Sequence, residues 1–390
     1  MSGLADPVWE GFQEAVRLQL AGRLAEAEAG WRRVLTLAPD AAEAHTNLGT
    51  VLKSLDRVDE AAAAHREAVR LNPGFAQGWF NLGVVEAWRR RWSEAEDAFR
   101  RTLALEPQHH MAGLQLAYVL LLTGRFAEGW AAYEARREIP GRVDRLGLPE
   151  WKGELLAGKS IVIWPEQGFG DQIQFARYAP KLAALGASVR LVCQPPLARL
   201  FETLGVAVQA LEPKTSFEQP DYWIPIGSLP GRLGEDFATI DGRPYLTAPE
   251  AARARWAGSA SKGSVGFVWR GNPQHPNDKA RSLPSPETLA PLREAGVQLV
   301  DLTEPQGDFA DTAARLDGVE LVITVDTSTA HLAGALGKPC WVMLSHAGQD
   351  WRWFEGRNDS PWYGSVRLFR QPAPGDWASV VAEMARAWAG

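Results

Sequence analysis

Three hexapeptides, VLTLAP (34–39), AVRLNP (68–73) and TLALEP (102–107), stand 34 residues apart and decide how the first third of this chain is read. The same spacing separates Ala27, Ala61 and Ala95, then Trp31, His65 and Phe99, and it returns in Leu48–Gly49 and Leu82–Gly83. A small residue at a fixed place lets two helices cross closely, a large one fills the gap beside it, and a proline closes the second helix of each copy. The period predicts stacked helical hairpins over residues 1–140, starting near residue 8, with three good copies and a degenerate fourth, LLTGRFAEGWAAYEARRE (121–138). That fourth copy and the connector GRVDRLGLPEW (141–151) are where such an array would pack on whatever follows it.

The pattern resembles the tetratricopeptide repeat. The resemblance implies a concave scaffold for a peptide or protein segment, with homodimerisation or packing on the second half as the rival use. Asn47 and Asn81 recur at one repeat position and read equally as ligands for a partner's backbone or as bridges between helices.

After residue 150 the pattern changes to short β-rich runs alternating with helical stretches. The runs are SIVIW (160–164), SVRLVCQ (188–194), VAVQAL (206–211) and YWIPI (222–226), then VGFVWR (265–270), VQLVDL (297–302), VELVITVD (319–326) and CWVML (340–344). Such alternation predicts parallel sheets with crossover helices. The small, polar stretch AGSASKGS (257–264) divides it into lobes at 150–256 and 262–390. The last segment, DWASVVAEMARAWAG (376–390), places Trp377, Val381, Met384 and Trp388 on one helical face.

Composition narrows the function. Hydrophobic residues make up 46% and the net charge is only −6, so sizeable cores form and no basic stripe marks a nucleic-acid surface. Cys193 and Cys340 sit among apolar residues and read as buried, reduced thiols. The opening MSGLADPVWEGF lacks the pattern of a secretory leader, and LQLAYVLLL (114–122) is half a membrane span, so a cytoplasmic location is expected.

Three clusters fall where parallel strands would end. In EQGFGDQIQFARY (166–178), Gly168 and Gly170 permit close backbone approach at a helix start, and Asp171 reads evenly as a general base for an acceptor hydroxyl or as a helix cap. In VDTSTAHLAGALGKP (325–339), Asp326 ends a strand and Thr327, Ser328 and Thr329 open a helix whose free amides suit a phosphate. His331, one turn on, reads as a cleft-facing phosphate or sugar contact or as a surface histidine. In WRGNPQHPNDKARSLP (269–284), Arg270, Lys279 and Arg281 would offset the charge of a leaving phosphate, or are solvated surface cations. The chain has no Asp-x-Asp pair and no histidine spacing suited to a metal, so leaving-group stabilisation by cations and a helix terminus is the expectation.

EQGFGDQIQFARY and VDTSTAHLAGALGKP together resemble the two signature segments of heptosyltransferase-like glycosyltransferases. PEWKGELLAGK (149–159), WRGNP (269–273), DWRWF (350–354) and DSPWYGSVRLFRQP (359–372) are similar to a bacterial group that fuses tetratricopeptide repeats to that domain. The resemblance implies a helical repeat array followed by a GT-B-type unit of two Rossmann-like lobes. It implies Asp171 as catalytic base and Thr327 to His331 as the donor-phosphate loop. Gly168, Gly170, Arg270, Asn272, Lys279, Arg281, Asp326, Asp350 and Trp351 join the donor site. The two tryptophans of DWRWF stack on a base or lie in the core. The implied activity is inverting, metal-independent transfer from a nucleotide sugar to a protein, flagellin among the candidates, with no cofactor. A first lobe shorter than in stand-alone heptosyltransferases suits an acceptor presented by the repeats. A glycan or lipid-linked acceptor, and a scaffold that binds nucleotide sugar without turnover, are the rival expectations.

Overall fold

The computed structural model describes residues 7–389 except 214, 216, 217 and 276, so the first six residues of the opening stretch and Pro276 of the cationic loop lie outside it. The chain forms two compact units, one up to Thr123 and one from Gly124 onward.

The first unit is a tetratricopeptide-type array of helical hairpins: α1 (Pro7–Leu20) and α2 (Leu24–Leu37), α3 (Ala42–Ser54) and α4 (Val58–Leu71), α5 (Ala76–Trp88) and α6 (Trp92–Leu105), then α7 (His110–Leu122). Helices α2, α4 and α6 each stop two residues short of Pro39, Pro73 or Pro107, because proline disfavours helical geometry in the residue before it. Ala27, Ala61 and Ala95 are fully buried, as are Trp31 and Phe99, and His65 is 1% exposed. The spacing has a steric cause. A Cβ built on Gly49 would fall 2.7 Å from the His65 ring, and one on Gly83 would fall 2.6 Å from the Phe99 ring.

A further register at the same period lies in the hairpin turns. Gly22, Asp56, Arg90 and Gly124 all take left-handed backbone, with φ of 70°, 60°, 58° and 80°. Only two of the four are glycine, which hid the register in the sequence. The apolar run 114–122 lies in α7 and is mostly buried, and among the described residues no helix is long and apolar enough to cross a membrane. Asn81 accepts a hydrogen bond from Gln77 one turn earlier on its own helix (2.8 Å), so its carbonyl already has a partner.

The compact array ends at Thr123, short of the expected residue 140. The second helix of the degenerate copy, α8 (Phe126–Tyr133), belongs to the second unit. Its side chains explain the difference. Trp130 donates to the Glu235 carbonyl (2.8 Å) and meets Trp351 edge-on at 5.3 Å, while Phe126 packs on Phe237. Just beyond it, the fully buried Arg136 makes a two-pronged ion pair with Glu166 (2.9 and 2.7 Å).

The second unit holds two all-parallel sheets. The first is ordered β3 (Ala207–Ala210), β2 (Ser188–Cys193), β1 (Ser160–Trp164), β4 (Tyr222–Pro225). Beside β4, Trp151 N donates to Trp223 O and Trp223 N donates to Pro149 O (both 2.9 Å), so the PEW segment borders this sheet. The second sheet is ordered β6 (Leu299–Asp301), β5 (Val265–Val268), β7 (Leu321–Val325), β8 (Cys340–Leu344), β9 (Val366–Arg370). Eight strands match the expected runs. The ninth, β9, is an edge strand that the sequence reading passed over. The terminal helix (Trp377–Ala389) buries Trp377, Val381 and Met384 against the second sheet's core, with Trp388 partly buried beside them. Both cysteines are free and buried, and burial pushes the Cys193 thiol up to about 12.

The array carries a testable acid weakness. Burial, and then the nearby Lys53 charge, hold the His65 imidazole down to about 4. The unfolded chain takes up this proton near pH 6.5, so stability is full above that value and falls as the pH drops toward 4. Between pH 7 and pH 5 the loss should be about 2 kcal/mol. His65→Phe puts in the residue that the next copy uses and should abolish this loss. Urea midpoints of the 1–123 fragment at the two pH values check it, and an equal loss in the variant would refute it.

Candidate active site

In an open parallel sheet a ligand site forms beyond the carboxyl ends of the strands, where the strand order reverses. In the first sheet that point lies between β1 and β4, and in the second between β5 and β7. The sequence clusters sit there. EQGFGD follows β1, the cationic loop follows β5, and Asp326 follows β7. Helix α9 (Phe169–Ala176) packs directly on α10 (Ser328–Ala335), which joins the first cluster to the second.

Asp171 lies in the first turn of α9. Its Oδ2 accepts the Gly168 amide (2.9 Å), so the capping role is real. Its Oδ1 accepts a hydrogen bond from Arg352 Nη2 at 2.5 Å, and the side chain is 20% exposed. Arg352, absent from the expected site, is the hub. Its Nη1 binds both oxygens of Asp350 (3.0 and 2.9 Å), its Nε donates to Gln174, and its guanidinium lies 4.3 Å from the Trp351 ring centre. Burial is the main force raising the Asp171 carboxyl above the usual range. Arg352 opposes that rise, and Asp350 adds to it. Burial also works against the Asp350 carboxylate, but Arg352 outweighs it and holds Asp350 below the ordinary value.

Asp326 completes a trio of carboxylates. Burial, and then the Asp350 charge, push it up to about 6, with Arg281 and Arg352 pulling the other way. Thr327 caps α10, its hydroxyl accepting from the Thr329 amide (3.3 Å), and Asp326 to Thr329 are all partly exposed.

His331 is neither a surface histidine nor an open cleft residue. It is 6% exposed, its Nδ1 lies 2.9 Å from the Tyr363 hydroxyl, and its ring stacks on Trp353. Burial first, then the Arg352 charge, hold it down to about 3, so it is neutral at ordinary pH. It also explains Gly170, because a Cβ there would fall 2.9 Å from His331 Cδ2. The close approach that this glycine permits is taken up by α10.

The loop cations are largely engaged elsewhere. Arg270 pairs with Glu304 (2.5 Å) and Arg281 with Asp278 (3.3 Å). Lys279 is exposed and makes no ion pair among the described residues, and Asn272 accepts the Gln274 amide in a local turn. Arg281 nonetheless lies within electrostatic range of Asp326, and His275 within range of Asp171 and Asp350. Trp351 is 3% exposed, with Arg352 over its face and Trp130 at its edge, and Trp353 is fully buried. Both tryptophans of DWRWF are therefore core residues in this structure. Among the described residues no group of three histidine, cysteine, aspartate or glutamate side chains could hold a metal ion.

Sequence reading missed Arg352, Arg136 and Arg177. The last is a buried cation lying over the Tyr245 ring at 4.6 Å and donating to the carbonyls of Asp241 and Trp362. A legible signal existed for each, namely an arginine embedded in an aromatic-rich stretch, which needs partners if it is buried.

No family model matches the chain. Protein FlbA of Caulobacter vibrioides is 29% identical over 324 aligned residues, which take in 70% of this chain and 54% of FlbA. The chain thus spans about half the length of the curated relative it matches. Because the array accounts for 123 of 390 residues, that likeness extends into the second unit. Among solved structures, MamA matches at 20% identity and a TM-score of 0.33, over 34% of this chain and 77% of its own. YrrB, a tetratricopeptide-repeat protein with an unusual peptide-binding site, matches at 21% and 0.31, over 35% and 76%. Scores this low add nothing to what the array's own period and hairpins establish.

The burial of His331 has a measurable consequence. Replacing it with alanine removes a packed ring from between Trp353, Tyr363 and Gly170, and should cost about 2–4 kcal/mol of stability. Chemical denaturation of the full chain checks this. An unchanged midpoint would mean that the ring faces solvent.

Proposed function

We propose that the chain is a metal-independent, inverting glycosyltransferase whose second unit has the GT-B arrangement and whose repeats recruit a protein acceptor. The observation that carries this reading is that Asp171 after β1, Asp326 to Thr329 after β7 and the Asp350–Arg352 pair after β8 all lie beyond the carboxyl ends of strands in two parallel sheets, with Arg352 bonded to Asp171. A nucleotide sugar is the ligand class that the sequence resemblance implies for such a strand-end position.

In the proposed reaction the acceptor hydroxyl gives its proton to Asp171 while its oxygen attacks the anomeric carbon. The bond from that carbon to the phosphate oxygen breaks, and the nucleotide leaves with the electron pair. A positioned base of this kind contributes about 10²–10⁴-fold. The first amides of α10, with Arg281 beside Asp326, would face the charge that develops on the leaving group. Flagellin is one candidate acceptor, on the strength of the sequence resemblance. Holding the acceptor on the array raises its local concentration without any new contact at the reacting atoms.

A second reading, a scaffold without turnover, draws on one observation: both Asp171 oxygens are already engaged, by Gly168 and by Arg352. Cutting the chain separates the roles. The cut belongs after Thr123, because a cut at 140 would strand Glu166 as a buried charge without Arg136, a loss of about 3–5 kcal/mol. With chelator present, residues 124–390 should still release nucleotide from the donor but should not modify the acceptor, as read by intact mass. Undiminished modification would remove the recruiting role of the repeats. Loss of turnover in chelator, restored by Mg²⁺ or Mn²⁺, would remove metal independence.

A further inference from the structure

We infer that Arg352 is the positioning residue of this site: from the segment after β8 it holds the carboxylate of Asp171, on the opposite sheet's first helix, in place. The inference rests on the proposed reaction for its consequence, but on geometry for its content.

Every nitrogen of the Arg352 guanidinium already has a partner in the protein. Nε donates to Gln174, Nη1 to Asp350 and Nη2 to Asp171. Gln174 and Asp171 lie on α9, whereas Asp350 belongs to the second sheet's side. Arg352 is 5% exposed, and its guanidinium lies 4.3 Å from the Trp351 ring centre and 5.5 Å from that of Phe175. A cation so fully engaged is not a free grip for a phosphate. Its fixed fork matches carboxylate geometry, which lysine's point charge does not reproduce.

The groups facing Asp171 make the consequence specific. From the segment after β8 come Arg352 and Asp350, and from the loop after β1 come Glu166 and the Gly168 amide. His275, in the loop after β5, lies within its field, and His331 on α10 is neutral. Glu166 is matched by Arg136. Removing Arg352 leaves Asp171, one-fifth exposed, opposite the Asp350 carboxylate, with both its partial desolvation and like charge favouring its protonated form. A protonated Asp171 takes no proton from an acceptor.

The experiment uses the full chain with Arg352→Gln and Arg352→Lys. In nucleotide release from a nucleotide-sugar donor, Arg352→Gln should move the acidic limb of kcat/KM upward by about one pH unit or more. It should lower kcat by at least ~100-fold at neutral pH and change the donor KM little. Arg352→Lys keeps the charge, so its limb should stay near that of the wild type while kcat falls. A loss confined to donor KM would make Arg352 a donor contact, and an unshifted limb would remove its effect on Asp171. A second measurement needs no turnover. Acid–base titration of the folded proteins, wild type minus Asp171→Asn, isolates the Asp171 proton. The same difference in the Arg352→Gln background should titrate at higher pH. An unshifted difference overturns this inference alone, whereas a shifted difference without turnover from any donor overturns only the proposed reaction.

Discussion

The ion pair between Asp171 and Arg352 is the contact on which the proposed chemistry of the second unit depends. Each parallel sheet presents strand-end loops of its own, with the proposed base, Asp171, after the first sheet's β1 and the Thr327-capped helix and Arg352 on the second sheet's side. Arg352 joins them by binding a carboxylate from each side, Asp171 and Asp350, within one buried guanidinium plane. Burial would otherwise drive such carboxylates to take up protons, and the arginine keeps the balance between a charged and a neutral site. Around this pair the packing is close. Gly170 admits His331, His331 stacks on Trp353 and meets Tyr363, and Arg177 reaches across to the Trp362 carbonyl.

The repeat array obeys a different constraint, in which each copy buries its large residue against the small residue of the neighbouring helix. That rule was fully legible, since Trp31, His65 and Phe99 announce themselves by spacing and each proves buried. The turn register at residues 22, 56, 90 and 124 was not legible. Left-handed backbone at Asp56 and Arg90 is imposed by the hairpin rather than advertised by glycine. The end of the array was misplaced for a related reason. The fourth copy keeps the turn geometry at Gly124, but Trp130 and Arg136 direct its second helix onto the α/β unit.

At the site, residue type and spacing located the strand ends and the capped helices well, because glycines, Asp171 and the Thr327–Thr329 run are local signals. What stayed hidden was pairing over long distances in sequence. Nothing near Asp350–Phe354 states that Arg352 will meet a carboxylate 181 positions earlier. The tryptophans on either side drew attention as stacking surfaces, yet they are core, and the arginine between them carries the electrostatics. The loop cations show the same limit from the other side, since Arg270 and Arg281 are visible in sequence but their pairing with Glu304 and Asp278 is not.

The central claim is that Asp171 is the base of a sugar transfer at this convergence of strand ends. The most direct measurement compares wild type with Asp171→Asn for nucleotide release from a panel of nucleotide sugars, with donor binding followed in parallel by calorimetry. The account predicts release by the wild type from at least one donor, and near-complete loss in Asp171→Asn with donor affinity retained. Equal release by the two proteins, or donor binding by the wild type with no release in the presence of any acceptor, would contradict it.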